Sequence, residues 1–366
     1  MKTFSLAFLV SGALLLSSCG GSSSSVSPEP SSSDSGLSSA GSSNSGDPGE
    51  GGSEPGGNSE PGGSEPGISG GGESSGTAMT SSSAELPPGS IFEDFAGASP
   101  TYFSYGSGGH QAAFTHVSGT ESPDEPGTTT LTLTLDTADA AGAWQGPNYQ
   151  TPNLLGFGTY SARIKTATAR GTEQPLAGAV AGFFTYRHDA DDNGNGVLEN
   201  SEIDFEWLIA DPRVIYLTAW VDVNDDPWRV TKINRTIDLS RGRILQTVWQ
   251  NLDGTSGSFS DSLSNSPSTI AAIPDYDASA RFYVYGFDWA TDRIRWWMID
   301  PAAPADTIVL WDYRGDAGYI TQQPAYLMLN FWHTADWSVE GVPNSTQKPR
   351  LPFATQFDWV RYVPAR

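Results

Sequence analysis

Cysteine occurs once in this chain, at Cys19 of 366 residues. No disulfide can form inside a folded part that lies beyond it, so stability there has to come from the core. Bases are scarce too: 19 Lys and Arg face 42 Asp and Glu, for a net charge of −23. That balance argues against nucleic acid and against sulfated or uronic polymers as partners, and is neutral towards uncharged ones. The four histidines (His110, His116, His188 and His333) lack metal-ligand spacing. The N-terminal apolar run, Phe4 to Leu16, is too short to span a membrane as a mature helix. Helical periodicity is scarce throughout.

What is present divides the chain into three. Met1-Lys2-Thr3, the apolar run and the small residues after it read as a secretory signal over 1–18. Leu16-Ser17-Ser18-Cys19 resembles a bacterial lipobox, which implies that Cys19 becomes the lipidated first residue and anchors the chain to a membrane. With Gly20 rather than Asp after it, the resemblance implies an outer-membrane lipoprotein of a Gram-negative cell, at the surface or in the periplasm. Residues 19–88 are Ser, Gly, Pro and Glu with a loose Gly-Gly-x-Ser-Glu-Pro-Gly repeat. They hold too few apolar residues to offset ordering entropy, so a disordered tether is expected, reaching ~50 Å. The tether carries nine acids and no base, which leaves 33 acids against 18 bases in the remainder. Residues 89–366 have the length of one large domain.

That remainder is punctuated by Gly, Pro, Asn and Asp into short alternating or apolar runs. These are Thr128–Thr137, Tyr160–Thr166, Ala179–Tyr186, Val214–Val223, Ile244–Gln250, Phe282–Trp289, Ile294–Ile299 and Tyr326–Trp332. So many strands at such spacing predict an all-β fold of two packed antiparallel sheets. Residues 253–276 form a Ser/Asp/Pro-rich insertion whose place relative to any cleft stays open.

One run stands out. In Ser201-Glu202-Ile203-Asp204-Phe205-Glu206-Trp207 the acids sit at i, i+2 and i+4. An extended conformation puts Glu202, Asp204 and Glu206 in one row and turns Ile203 and Phe205 the other way, into a core. On a helix i+2 would leave that face. A solvated acidic face is the plain alternative. Against it, three like charges in a row repel, the flanks are aromatic, and the chain offers no rival catalytic set. Paired carboxylates flanking a sugar are how most glycosidases work, one protonating the leaving oxygen while the other attacks or activates water. The Cα atoms of Glu202 and Glu206 lie about 13 Å apart along an ideal strand. A retaining pair needs carboxyls about 5–5.5 Å apart. The strand must therefore be bent, with both side chains leaning inward.

Glu202-Ile203-Asp204-Phe205-Glu206 resembles the active-site strand of glycoside hydrolase family 16 in its form without an inserted bulge residue. That form belongs to the lichenases (β-1,3-1,4-glucanases) and to the xyloglucan and chitin–glucan transglycosylases. Further pieces match in order. Phe157–Lys165 and Gly182–Tyr186 resemble strands preceding the motif. Tyr285–Trp289 with Ile294–Trp297 resembles a hairpin after it, and Asn330–Trp332, Asp336-Trp337 and Phe357–Tyr362 resemble the last strands. The resemblance spans roughly 90–366 and implies a curved jelly-roll sandwich, concanavalin A-like, with a concave cleft. It implies Glu202 as nucleophile, Asp204 as assisting carboxylate and Glu206 as general acid/base. It also implies cleft contacts from Tyr149 (with Trp144), Asn330, Trp332 and Trp337, whereas Trp289, Trp296 and Trp359 are expected in the core. The activity implied is retaining endo-hydrolysis of β-1,4 bonds in mixed-linkage or a related neutral β-glucan, by a monomer that requires no cofactor. A xyloglucan-active hydrolase or transglycosylase is the alternative, and a non-catalytic glycan-binding lipoprotein is the alternative of another class. Departures from the lichenase pattern are Asn148 and Gln150, and Leu217 and Ala219 where polar and aromatic cleft residues are expected.

A competing motif overlaps the row. Asp191-x-Asn193-x-Asn195-Gly196, followed by Glu202, has the spacing of an EF-hand loop. Strand-like flanks, and a Glu202 that cannot be both bidentate ligand and free nucleophile, speak against an EF-hand. A calcium held by Asp189, Asp191, Asn193 and Asn195 without Glu202, or an Asx-rich hairpin loop, both stay open. Separately, the family resemblance implies a structural calcium at Asp358.

Overall fold

The computed structural model describes residues 86–105, 115–135, 145–188, 191, 198–225, 228–334, 337, 348–350 and 352–366. The signal, Cys19 and the tether up to residue 85 lie outside them, as do Trp144, Asp189, Asn193, Asn195 and Asp336.

Among the described residues, seventeen strands form two sheets in which every pairing is antiparallel. The first sheet holds β1 (Ile91–Glu93), β3 (Thr115–Glu121), β4 (Thr129–Leu135), β6 (Gly158–Lys165), β13 (Tyr283–Ala290), β14 (Arg293–Ile299), β15 (Ile308–Tyr313) and β17 (Phe353–Pro364). Its order is β15-β14-β13-β6-β17-β4-β3, with β1 also on β17. The second sheet is built of β2 (Ser104–Tyr105), β5 (Asn148–Gln150), β7 (Ala179–His188), β8 (Leu198–Leu208), β9 (Val214–Asp225), β10 (Trp228–Asp238), β11 (Arg243–Gln250), β12 (Ser256–Ser258) and β16 (Tyr326–His333). It runs β12-β11-β10-β9-β8-β7-β16-β5-β2. The helical content of the described residues is one 3₁₀ turn, Ala317–Tyr319. The expected all-β, two-sheet sandwich is borne out.

Aromatic side chains from the two sheets close the core. Phe183 meets Phe287 at 5.8 Å between ring centroids, Phe205 meets Tyr285 at 5.7 Å, and Trp207 meets Tyr285 at 4.6 Å. Trp289 and Trp296 lie in this core as expected. Trp359 does not: it is half-buried and packs against Phe92, with ring centroids 6.3 Å apart, and its ladder partner is the polar Arg163. A register break between Phe357 and Trp359 puts it on the side opposite the core residue Val360. The 253–276 insertion is tied to the β15 edge. Asp312 and Arg314 donate backbone bonds to Ser266 and Leu263, and the Trp311 indole donates to the Ser264 carbonyl at 2.9 Å.

Candidate active site on the face of the second sheet turned from the core

β8 lies in the middle of the second sheet, and its alternation decides what each face carries. Ile203, Phe205 and Trp207 are buried in the core. Each such side chain contributes roughly 1.5–3 kcal/mol. A one-residue slip would turn all three out and the acids in, so the register is strongly specified. The Trp296 indole reaches across from β14 and donates to the Asp204 backbone carbonyl at 3.1 Å, pinning the strand from behind. Glu202, Asp204 and Glu206 therefore share the opposite face. Asp204 is nonetheless only 2% exposed, so this face is recessed rather than open to bulk water. Register breaks between β8 and β9, β9 and β10, and β10 and β11 bend this half of the sheet.

The ladder places the neighbours of each acid. Across β7 they face Tyr186, Phe184 and Gly182, and across β9 Trp220, Thr218 and Tyr216. Beyond β9, β10 sets Lys232, Asn234 and Thr236 against those three. Asn200 Nδ2 donates to Glu202 Oε2 at 3.1 Å, and the Trp220 indole donates to Asp204 Oδ2 at 3.1 Å. Trp332 hydrogen-bonds Glu206 through its side chain. Beside Asp204 a polar floor crosses three strands. Asn234 Nδ2 donates to Thr218 Oγ1 at 3.0 Å, and Gln246 Nε2 donates to Asn234 Oδ1 at 2.8 Å.

Burial dominates the electrostatics. It pushes the Glu202 carboxyl up to about 7, opposed by the Asn200 hydrogen bond and the Lys232 charge. Glu206 is pushed up to about 8 by burial and by the charge of Glu202, opposed by Lys232 and Trp332. Asp204 is held well above the usual carboxylate range by burial and by both glutamates, against the Trp220 hydrogen bond and Lys232. Lys232 itself is lowered to about 8 by burial, which the three acids resist. Both glutamates are thus held above the usual carboxylate range, and the Glu202 charge adds to the rise of Glu206. Groups this close titrate as a set.

The other expected site residues fare differently. Asn330 sits opposite Gly182, two strands from Glu206, and its Oδ1 has no hydrogen-bond partner. A Cβ at Gly182 would lie 2.3 Å from that oxygen, so the glycine makes room for it. Trp332 and Trp337 do lie on this face, where they join Val180, Leu208, Val214 and Tyr216 in a small apolar cluster. They are 8% and 7% exposed, and Trp337 packs edge-on against Tyr216 at 4.9 Å. They form a wall at the Glu206 end rather than an open platform.

Tyr149 is corrected. It pairs with Leu329 on the core-facing side, is 5% exposed, and its hydroxyl lies 2.8 Å from His116 Nδ1. Its neighbours Asn148 and Gln150 take the acid-row side, paired with Asn330 and Met328. Leu217 and Ala219 are likewise core residues, paired with Phe205 and Ile203, and the β9 residues beside the acids are Tyr216, Thr218 and Trp220.

The calcium expectations find little support among the described residues. Asp358 accepts from Arg163 Nη1 at 2.6 Å, so a guanidinium already stands where a cation would. No group of three or more His, Cys, Asp or Glu that could hold a metal occurs among the described residues. Asp191 is described but the other members of its loop are not. Phe183–Tyr186 and Ile203–Trp207 are strands rather than the helices an EF-hand needs.

Lys232 and Trp220 are the site residues that reading the sequence missed. The signal for them was strand alternation, which β10 disguises. Its buried aliphatic residues, Val230, Ile233 and Ile237, are spaced 3 and 4 apart, like one face of a helix.

No family model matches the chain. A β-glucanase of Brevibacillus brevis is 24% identical to it over 237 residues, covering 64% of this chain and 66% of that protein. A β-glucanase of Acetivibrio thermocellus is 25% identical over 239 residues, covering 64% and 51%. The chain thus spans just under two thirds of the first relative and about half of the second. Among solved structures, a β-1,3-1,4-glucanase (lichenase) derived from a mouse hindgut metagenome aligns at a TM-score of 0.44 and 19% identity, covering 75% of this chain and 99% of that one. The fold assignment rests on the strand ladders themselves.

Proposed function

We propose that this protein is a retaining endo-β-glucanase that cuts β-1,4 bonds in mixed-linkage or a related neutral β-glucan by double displacement. The observation that carries the reading is the recessed row of three carboxylates, Glu202, Asp204 and Glu206, side by side on the face of β8 turned from the core. Two β-glucanases related over most of the folded part support it.

In the first step Glu202, ionised, attacks the anomeric carbon while Glu206 gives its proton to the leaving oxygen. In the second, Glu206 takes a proton from water, which releases the sugar from Glu202. Burial and the Glu202 charge keep Glu206 protonated at neutral pH, as a general acid requires. The Trp332 hydrogen bond orients it. Asp204 lies between them, raised by burial and by both glutamates, and accepts from the Trp220 indole. The partnerless Oδ1 of Asn330 suits a sugar hydroxyl, and Trp332 and Trp337 exclude water at that end.

The anchor and tether belong to the same proposal: Cys19 carries lipid, and residues 19–88 let an outer-membrane enzyme reach its polymer. A lipid-modified N-terminal peptide in mass spectra supports the anchor, and an unmodified Cys19 in the secreted protein refutes it.

A reducing-sugar assay on barley β-glucan, lichenan, laminarin and xyloglucan, with Glu202→Gln alongside, tests the activity. Release from the first two, abolished by the substitution, is expected. Activity confined to laminarin overturns the linkage, and activity that survives Glu202→Gln overturns the mechanism.

A further inference from the structure

Three acids in a recess need a counter-charge, and the structure offers one. Among the described residues, Lys232 is the only base that acts electrostatically on Glu202, Asp204 and Glu206. Its ammonium stands over the Trp220 ring, 4.2 Å from the centroid. The N–H of that same indole donates to Asp204 Oδ2 at 3.1 Å. Trp220 lies between Glu202 on β8 and Lys232 on β10 in the ladder, so one ring couples the cation to the acid row on two sides.

We propose that Lys232, seated on Trp220, is the positioning residue that holds Glu202 as an anion while the rest of the row keeps its protons. The inference rests on the functional reading above.

The surroundings leave Lys232 this role. On its own strand and face stand Val230, Asn234 and Thr236, all neutral. Gln250 faces it from β11 and Trp220 from β9. Asp222, beyond the β9 register break, pairs with Thr231 and lies against Glu199. From β7, Tyr186 stands opposite Glu202. The acids of β8 are therefore its charge partners. A protonated lysine with one ionised glutamate makes the recess neutral, which fits an uncharged sugar polymer.

The test compares the wild-type full chain with Lys232→Met, which keeps the apolar stem, and Lys232→Arg, which keeps the charge. Lys232→Gln stands in if the methionine variant does not fold. Two readouts are taken: kcat/KM against pH on barley β-glucan, and ¹³C NMR titration of glutamate carboxyls, with Glu202→Gln to assign the resonance. Removing the cation should move the acid limb and the Glu202 titration up by about one pH unit, and cut activity about tenfold at pH 6. Lys232→Arg should restore both. An unmoved Glu202 titration in Lys232→Met, or an arginine variant that behaves like the methionine one, overturns the proposal. The NMR arm is independent of turnover. A wild-type chain that cleaves no glucan refutes the functional reading, while a shifted Glu202 titration still supports the electrostatic role of Lys232.

Discussion

Two cations lie three residues apart on β10 and end up on opposite faces of the sheet. Lys232 faces the acid row. Arg235 faces the core, fully buried, with no carboxylate among its hydrogen-bond partners. Its Nε donates to Thr247 Oγ1 at 3.1 Å, and its Nη1 donates to the carbonyls of Pro267 at 2.9 Å and Leu310 at 3.0 Å. Nη2 donates to Asn265 Oδ1, and the guanidinium lies 5.2 Å from the Trp311 ring centroid. Arg235 thereby staples the second sheet to β15 of the first and to the insertion. Each cation rests on a tryptophan, and burial depresses each, Arg235 to about 9 and Lys232 to about 8. The difference is in what answers the charge. Fixed carbonyl dipoles suit the five-donor fork of arginine and make a joint. Titratable carboxylates suit a lysine and make a site whose charge can change. The core face holds the fold, and the acid face is arranged for chemistry at some cost in stability.

Four measurements can break or sharpen that contrast. Glu206→Gln should lower activity about 10²–10⁴-fold while leaving the protein at least as stable, because the amide keeps the shape of the protonated acid and cannot ionise in the recess as pH rises. Loss of folding there would erase the contrast. Arg235→Met should do the reverse, costing about 3–5 kcal/mol in urea unfolding because several buried acceptors lose their donor. What folds should keep the wild-type pH profile. Next comes the pH dependence of stability. Burial raises Glu202 and Glu206 from 4.5 to about 7 and about 8. The folded state then binds more protons than the unfolded one, so stability is fullest below pH 4.5 and falls as pH rises to about 8. Thermal midpoints across that window should show the decline from these two groups, flattened in the Glu202→Gln, Glu206→Gln double variant. A wild type whose midpoint is no more pH-dependent than the double variant's would show the row to be well solvated. The smallest effect belongs to Trp220→Phe, which keeps a ring for Lys232 but deletes the donor to Asp204. About 1 kcal/mol of transition-state stabilisation should go, read as a several-fold fall in kcat/KM. An unchanged rate would show that the indole N–H does not matter.

Much of this was legible in the sequence, for definable reasons. A period-2 row of acids with Ile203 and Phe205 between them has one sensible strand reading, and the two-sheet fold follows from many such runs. What failed was parity. Likeness to a pattern places Tyr149, Leu217 and Ala219 on the face they do not occupy, because it is aligned only to within a residue while a sheet inverts its faces with every step. Trp359 went astray through a register break that no local signal announces. β10 is hard to read as a strand because Arg235 sits at one of its core positions. That placement makes sense only once the carbonyls of Pro267 and Leu310, far along the chain, are brought beside it.

The central claim is that Glu202 forms a covalent bond to sugar while Glu206 serves as its acid. Incubation with 2,4-dinitrophenyl 2-deoxy-2-fluoro-β-cellotrioside, followed by intact-mass and peptide mass spectrometry, tests it directly. The account predicts one added fluoroglycosyl group per chain, on the peptide that carries Glu202 and at that residue, and none in Glu202→Gln. An adduct on Glu206, or turnover of a β-glucan with inversion at the anomeric centre, would contradict it.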